Sequence, residues 1–187
     1  MIDKEALPTK FLWVDLEMTG LDPTRDLILE VAAEVTDLDF KTLASYEARV
    51  KHDKKKVAEL LQANIWYREV PENRDDFLNN LESGKTSELV ESELIDFVTK
   101  HFGNEPAILA GNSIHNDRNF IKSYWPSLDL KLHYRMLDVS AWKIVMESKY
   151  GLKFEKKGAH RAFDDIQASI AELQYYLDWF NSHADHH

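Results

Sequence analysis

Runs and alternations of apolar residues along the chain predict five β-strands. The first is the run FLWVDL at residues 11–16, which is followed by turn-forming residues at 19–23. The other four are predicted at residues 28–35, 43–50 and 106–110 and within 130–139. Because the first three strands follow one another without an intervening helix, we expect them to form an antiparallel meander.

Helical periodicity predominates after residue 50. Helices are predicted at residues 57–69, 87–101, 116–124, 141–149 and 160–180, with a short element near 74–81. We expect Ser87 and Ser140 to cap the helices at 87–101 and 141–149, and Pro126 to end the helix at 116–124. Strands first and strand–helix alternation afterwards predict an α/β fold with a mixed sheet flanked by helices. We expect one domain over residues 1–187, with frayed ends at about 1–8 and 182–187.

The composition is that of a globular protein, with 44% hydrophobic and 11% aromatic residues. The chain contains no cysteine, which excludes disulfides, thiol nucleophiles and cysteine-ligated zinc. The N-terminal stretch MIDKEALPTK lacks the apolar segment of a signal peptide, and its acidic residues disfavour a transit peptide. No stretch approaches the roughly 18 apolar residues of a membrane span. We therefore expect a cytoplasmic protein.

The formal net charge of −10 disfavours a protein that grips long nucleic acid, because phosphate contacts from a basic surface dominate such binding. A phosphate-bearing substrate is therefore expected to be small, or to be held through metal ions and a few local cations. One basic run, KHDKKK at residues 51–56, could contact phosphate. Such runs are more often solvated helix or loop faces.

Two acids, Asp15 and Glu17, follow the first apolar run one residue apart. In a strand their side chains point to the same face, so the two carboxylates lie side by side. The simple explanation is a strand end that reaches water. The apolar run before them instead indicates a central strand that opens into a crevice, where ligands commonly bind in α/β sheets.

Further acids lie after a later predicted strand and at the start of the last predicted helix. Asp117 lies in GNSIHND, directly after the strand at 106–110, and could be a helix-start residue that complements the helix dipole. His160, Asp164 and Asp165 lie in GAHRAFDD at the start of the last helix, where acids are ordinary and a lone histidine is usually a surface or packing residue. Helical periodicity does not choose between the two aspartates.

Together these acids predict a site for hard metal ions. The ligands would be carboxylate oxygens without thiolates, a set that magnesium and manganese prefer. Two such ions roughly 3.5 to 4 Å apart stabilise the attacking and leaving oxygens of a phosphoryl displacement. They would also neutralise carboxylates that otherwise repel one another.

Four segments in order, WVDLEMTGLDP, GNSI-x-x-D, HYRMLDVS and GAHRAFDDI followed by SIAELQYY, carry a resemblance that spans nearly the whole chain. The chain resembles the histidine-containing branch of the DEDD exonuclease superfamily and, within it, the oligoribonuclease family. This resemblance implies a ribonuclease-H-like fold and hydrolysis of very short RNA from the 3′ end to 5′-mononucleotides. It also implies two magnesium or manganese ions, a homodimer and short RNA oligonucleotides as substrates.

The resemblance also assigns roles to residues. Asp15, Glu17, Asp117 and Asp165 would be metal ligands, with Asp165 chosen over Asp164 by its spacing of five from His160. His160 would be the general base that takes a proton from the attacking water, a role that suits an unperturbed pKa near 6.5.

For the substrate, the resemblance implies that Leu21 wedges against the bases and that Trp66 helps to form the base pocket. Ser113 and Ser140 would help to hold the 5′-phosphate. His133, Tyr134 and Arg135 would act in the neighbouring subunit's site. Taken alone, Leu21 could be a turn residue, Trp66 an anchor of an amphipathic helix, and the 133–135 segment a polar and aromatic patch on a strand.

One departure affects substrate recognition. The family has a histidine at the position of Pro71, and the surrounding WYREVPENRDDF does not match the family. Two further functions therefore stay open: a histidine-type exonuclease that trims longer RNA or single-stranded DNA, and a non-catalytic module that keeps the fold. A glycosidase with paired carboxylates would leave Asp117, His160 and Asp165 without roles.

Overall fold

The computed structural model describes residues 8–155 and 161–183. Within these residues it contains one five-stranded sheet of β1 (Lys10–Met18), β2 (Ile28–Asp37), β3 (Thr42–Arg49), β4 (Ala107–Gly111) and β5 (Leu132–Asp138). The strand order is β3-β2-β1-β4-β5. The pairs β1–β2 and β2–β3 are antiparallel, whereas β1–β4 and β4–β5 are parallel. The predicted mixed sheet with its antiparallel meander is confirmed.

Eight α-helices accompany the sheet in the described part of the chain. They are α1 (Lys54–Ala63), α2 (Ile65–Glu69), α3 (Pro71–Asn80), α4 (Ser87–Phe102), α5 (His115–Tyr124), α6 (Pro126–Asp129), α7 (Val139–Tyr150) and α8 (Ala162–His183). The start of the last predicted helix, at His160, lies outside the described residues, as do most of the predicted frayed ends.

The helix predicted at residues 57–69 is two helices, because Asn64 interrupts it. The Asn64 backbone is extended, with φ −82° and ψ 123°. Its N–H donates to Leu60 O and ends α1, while its side-chain oxygen accepts from Trp66 N and begins α2. Its Nδ2 also donates to Thr19 O at 2.9 Å. Asparagine side chains compete with the helical backbone in this way.

Two helix starts differ from the prediction by one or two residues. Thr86, not Ser87, caps α4. Asp138, not Ser140, caps α7, and its side chain accepts from Ser140 N at 2.9 Å. The hydroxyl of Ser140 is therefore available for contacts other than capping.

The two faces of β1 pack against different helices. Leu12, Val14 and Leu16 belong to the core cluster that includes side chains of α4 and α5, such as Leu94 and Phe120. Trp13 belongs to the cluster on the other face, where α8 contributes Ile166, Ile170 and Leu173. Because side chains alternate along a strand, Asp15 and Glu17 follow Trp13 onto the face that α8 covers.

A third apolar cluster lies at the end of the sheet where β2 begins. Leu27 and Leu29 pack there with Val57 of α1, Tyr67 of α2 and Phe77 of α3. The Tyr67 hydroxyl donates to Met18 O at 2.9 Å. This cluster fixes α2 and α3 beside the end of β1, next to the two acids.

None of the helices in the described residues combines the length and the apolar composition that crossing a membrane requires.

The centre of the sheet is expected to dominate stability. Leu109 of β4 is 0% exposed, and Leu109→Ala should lower the free energy of unfolding by about 2–5 kcal/mol through lost burial and a cavity. Leu130 is 85% exposed, so Leu130→Ala should change it by no more than about 0.5 kcal/mol. Urea unfolding of both variants measures this difference, and equal losses would contradict the placement of β4 in the core.

Candidate active site

Three carboxylates meet where β1 ends. Ligand oxygens of Asp15, Glu17 and Asp165 all lie within 4.8 Å of one another. Asp15 and Glu17 come from adjacent same-face positions of β1. Asp165 comes from the first turn of α8, one residue before the buried Ile166. Asp164 is exposed and outside this group.

Asp117 joins the group through the backbone of β1. Its side chain is only 6% exposed, and its Oδ1 accepts a hydrogen bond from Leu16 N at 2.9 Å. Leu16 lies between the two acids of β1, so this bond fixes Asp117 beside both of them. The structure thus brings Asp15, Glu17 and Asp165 together and places Asp117 against the backbone between the first two. His160 lies outside the described residues, and its role stays a prediction.

The crevice that admits Asp117 arises where two parallel strands separate. β1 and β4 pair only at Leu12 with Leu109 and at Trp13 with Ala110. Beyond this point the carboxylate of Asp117 accepts the hydrogen bond from the Leu16 N–H of β1. Gly111 permits the close approach of the strands, since a Cβ there would lie 2.9 Å from Val14 O. A crevice at the carboxyl ends of sheet strands is a common ligand site in α/β folds.

Burial, with repulsion from nearby carboxylates, raises the pKa of two of these acids, Glu17 and Asp117. Burial is the main cause that raises the pKa of Glu17 to about 8, with additions from Asp165 and Glu30. Burial also raises the pKa of Asp117 to about 7, although the bond from Leu16 N opposes the shift. At neutral pH a metal-free site therefore retains protons that a bound cation would displace.

The donor chemistry of the site fits a hard divalent cation. The donors of the described group are carboxylate oxygens, which magnesium and manganese favour, and the chain has no cysteine. The group combines donors from β1 and α8, two elements that the core packs rigidly together. The fold holds this acidic cluster in place, and a divalent cation bound there would offset the repulsion between its carboxylates.

A cluster of two arginines and two acids adjoins Glu17, and sequence reasoning missed it. Glu30 of β2 is the cross-strand partner of Glu17. Its Oε2 lies 3.3 Å from Arg49 Nε and 3.4 Å from Arg161 Nη2. Both arginines also contact Asp76 of α3. The sequence signal for this cluster was Glu30, a charged residue inside the otherwise apolar run ILEVAAEV.

The predicted base-contacting residues lie near the acidic group. Leu21 is 70% exposed in the turn after β1, and Trp66 is 37% exposed on α2. The bond from Asn64 Nδ2 to Thr19 O holds α2 beside that turn. The two side chains therefore flank the same end of the sheet as Asp15 and Glu17.

The two predicted phosphate-binding serines are in contact. The hydroxyl oxygens of Ser113 and Ser140 lie 3.0 Å apart. Ser113 N donates both to Ser140 Oγ at 2.8 Å and to Asp138 Oδ1 at 3.0 Å. The turn after β4 and the start of α7 thus form one polar surface, although these serines are 27 residues apart in sequence.

The segment of His133, Tyr134 and Arg135 lies apart from the acids within one chain. It belongs to β5, an edge strand that β4 separates from β1. Tyr134 is 66% exposed, and the Arg135 guanidinium carbon lies 4.9 Å from the centroid of the Tyr134 ring. The buried Arg118 fixes the start of this segment through a hydrogen bond to His133 O.

Comparison with protein families identifies the class of this protein. A family model described as exonuclease, of the RNase_T family, matches residues 12–173. The chain therefore belongs to this exonuclease family.

Within that family the chain belongs with the oligoribonucleases. It is 38% identical over 168 residues to the oligoribonuclease of Francisella tularensis subsp. novicida (strain U112), a match that covers 88% of this chain and 92% of that protein. It is 36% identical over 177 residues to the oligoribonuclease of Thiobacillus denitrificans (strain ATCC 25259 / T1), covering 92% and 96%. The family resemblance found in the sequence motifs is confirmed.

Solved structures of exonuclease I share the fold. Exonuclease I of E. coli, in complex with a 5cy-dA13 oligonucleotide, has a TM-score of 0.56 at 14% identity, and the match covers 91% of this chain. Exonuclease I of Methylocaldum szegediense has a TM-score of 0.55 at 16% identity. This chain spans only 40% of either of those chains. This structural similarity supports the predicted ribonuclease-H-like fold.

The raised pKa values predict how stability depends on pH. Between the ordinary value of 4.5 and the folded value of about 8, folded Glu17 binds more protons than unfolded Glu17. Stability of the metal-free protein should therefore fall as the pH rises from about 5 to 8, and magnesium should restore it at the upper end. Thermal unfolding with a chelator and with magnesium measures both effects.

Two substitutions test the source of this pH dependence. Glu17→Gln should flatten the metal-free profile because the neutral amide does not ionise. Glu88→Gln, at an exposed position of α4, should leave the profile unchanged. A wild-type stability that stays constant over this pH range would contradict the raised pKa values.

Proposed function

We propose that this protein is a metal-dependent 3′-to-5′ exoribonuclease that hydrolyses very short RNA, dinucleotides and slightly longer, to 5′-mononucleotides. The observation that carries the proposal is the meeting of Asp15, Glu17 and Asp165 within 4.8 Å, with Asp117 bonded to the backbone between the first two. Membership of the exonuclease family and the similarity to oligoribonucleases support it. A chain without cysteines suits activity in the cytoplasm.

In this proposal the four carboxylates hold two magnesium or manganese ions. When bound, such ions stabilise the attacking and leaving oxygens of a phosphoryl displacement. The protein's own contribution is to fix the ligands: β1 sets Asp15 and Glu17 side by side, Leu16 N orients Asp117, and the packing of α8 sets Asp165. His160 accepts the proton of the attacking water on its imidazole, as a group with a pKa near neutrality can.

Substrate recognition is assigned to both ends of a short RNA. Leu21 and Trp66 contact the bases, and Ser113 and Ser140 contact the 5′-phosphate. A site that encloses both ends needs no long basic groove, which agrees with the net charge of −10. Pro71 is the first residue of α3, at the position where the family has histidine. The dinucleotide preference therefore needs direct measurement.

We further propose a homodimer in which His133, Tyr134 and Arg135 reach the partner's site. The edge strand β5 and the adjacent helix α7 expose apolar side chains, which supports pairing of two chains at this surface. These side chains are Tyr134 (66% exposed), Met136 (37%), Ile144 (65%) and Val145 (50%).

The experiment that tests the substrate class is a length series. Hydrolysis of 5′-phosphorylated RNA of two to twenty nucleotides, with magnesium or manganese, should be fastest for the shortest substrates. A strong preference for the 20-mer at matched concentration would favour the alternative exonuclease that trims longer strands. Absence of metal-dependent hydrolysis at every length would favour a non-catalytic module.

Substitutions in the acidic group should separate catalytic from neighbouring residues. Asp15→Asn should abolish turnover by removing a metal ligand, and His160→Ala should lower kcat by roughly two to four orders of magnitude. Asp164→Asn is the matched control, since Asp164 is exposed and outside the group. Steady-state kinetics on a dinucleotide measures all three, and near-normal activity of Asp15→Asn would contradict the assignment.

Mixed dimers test whether Arg135 acts in the partner's site. Arg135→Ala alone should lower kcat/KM more for a 5′-phosphorylated dinucleotide than for its 5′-hydroxyl form. When mixed with Asp15→Asn, it should regain activity, because the inactive chain supplies an intact Arg135 to the other chain's acids. Activity no greater than the sum of the two separate variants, under conditions where subunits exchange, would exclude action in trans.

A further inference from the structure

The turn between β1 and β2 is held from inside by one carboxylate. Asp26 Oδ1 accepts from the Thr19 hydroxyl at 3.0 Å, and Asp26 Oδ2 accepts from Asp22 N at 3.0 Å. The Thr19 hydroxyl also accepts from Leu27 N at 3.0 Å, and Thr19 is only 1% exposed. The two donors to Asp26 stand on either side of residues 20 and 21, so a single side chain holds both ends of that dipeptide.

Gly20 lets the Asp26 carboxylate lie directly against the backbone of this turn. A Cβ at position 20 would lie 2.4 Å from Asp26 Oδ2 and 2.7 Å from Asp26 Oδ1. Any residue with a side chain would therefore push the carboxylate away from its donors on Thr19 and Asp22. The arrangement of hydrogen bonds thus depends on glycine at this position.

Helix α5 holds the same turn from outside. The Tyr124 hydroxyl donates to Asp26 O at 2.6 Å, and the Ser123 hydroxyl donates to Pro23 O at 3.2 Å. This helix also carries Asp117, whose carboxylate is bonded to β1. The position of the turn is therefore set relative to the acidic group.

The side chain of Leu21 is the exposed part of this turn. A lone exposed leucine is ordinary on a protein surface, and Leu21 is 70% exposed. Here, however, the backbone on both sides is hydrogen-bonded, and Asn64 Nδ2 ties Thr19 O to the helix that carries Trp66. An apolar side chain on a backbone that is already fixed loses little conformational freedom when it packs against a ligand.

We propose that Asp26 is a positioning residue for substrate recognition, because its carboxylate fixes the turn that presents Leu21 to a base of the short RNA. Asp26 acts through Leu21 and does not itself touch the substrate. The inference rests on the proposed function and refines it, since it assigns the base contact to a preorganised turn. Loss of the carboxylate should weaken binding of the substrate and spare the chemical step.

The test measures kcat and KM for the RNA dinucleotide pApA with magnesium. Leu21→Ala should lower kcat/KM about tenfold through the loss of an apolar contact. Asp26→Asn, which is nearly isosteric, turns an amide N–H₂ toward one of the two donors. It should raise KM severalfold and leave kcat close to that of the wild type. Asp39→Asn, at an exposed position between β2 and β3, is the matched control and should change neither value.

A double variant shows whether Asp26 acts through Leu21. Asp26→Asn combined with Leu21→Ala should have the same kcat/KM as Leu21→Ala alone, because no large apolar side chain is left to position. Losses that multiply in the double variant overturn the inference, since a purely structural role predicts them. A loss in kcat at unchanged KM in Asp26→Asn also overturns it.

Substitutions of Thr19 give an independent pair of variants, which decides the matter if Asp26→Asn does not fold. Thr19→Val is nearly isosteric and removes the hydroxyl that donates to Asp26, so it should raise KM as Asp26→Asn does. Thr19→Ser keeps the hydroxyl and should restore the wild-type KM. Wild-type KM in Thr19→Val, or equal losses in both Thr19 variants, overturns the inference.

The same measurements separate failure of the inference from failure of the proposed function. Wild-type protein that does not hydrolyse pApA with magnesium or manganese contradicts the proposed function, and the inference falls with it. Wild-type protein that hydrolyses pApA, together with an unchanged kcat/KM in Leu21→Ala, keeps the exonuclease activity and overturns the inference alone.

Discussion

The rest of the site depends on one electrostatic constraint, the crowding of carboxylates at the end of β1. Burial and the neighbouring Asp165 raise the pKa of Glu17 to about 8, because both make its charged form unfavourable in the metal-free fold. Free side chains would separate to relieve this repulsion. Here the packing of Trp13 against Ile166 and Ile170 keeps β1 and α8 together, so the apolar core offsets the electrostatic cost. In the metal-free fold a retained proton on Glu17 relieves the repulsion, and a bound divalent cation would relieve it in place of that proton.

Two polar networks lie on either side of this acidic group and help to hold its side chains in place. On one side, Arg49 and Arg161 join Glu30 to Asp76 and connect β2, β3 and α3 to the start of α8. On the other side, Asn112 joins the turn after β4 to α8. Both networks end on α8, the helix that supplies Asp165. Rigid placement of that helix is what a site built from distant ligands requires.

The fold explains why a strongly acidic chain can act on a nucleic acid. Strands β1 and β4 separate after two residue pairs, which opens the end of the sheet beside the acids. In the proposed function the attraction for phosphate would be local, from Arg135 and the serine pair of the proposed dimer and from cations bound at the acids. A general basic surface is unnecessary because few phosphates need to be held.

The sequence by itself determined the order of strands, the mixed sheet and the shared face of Asp15 and Glu17, because strand alternation and turn chemistry are local properties of the chain. It did not locate the break at Asn64, whose side chain bonds to Thr19 O across 45 residues. Periodicity could not choose between Asp164 and Asp165, and Glu30 and Asp76 lay in no motif that marked them as partners of the site. Only the tertiary structure decided these points, since each depends on a contact between segments far apart in sequence, and such contacts leave no periodic pattern in either segment.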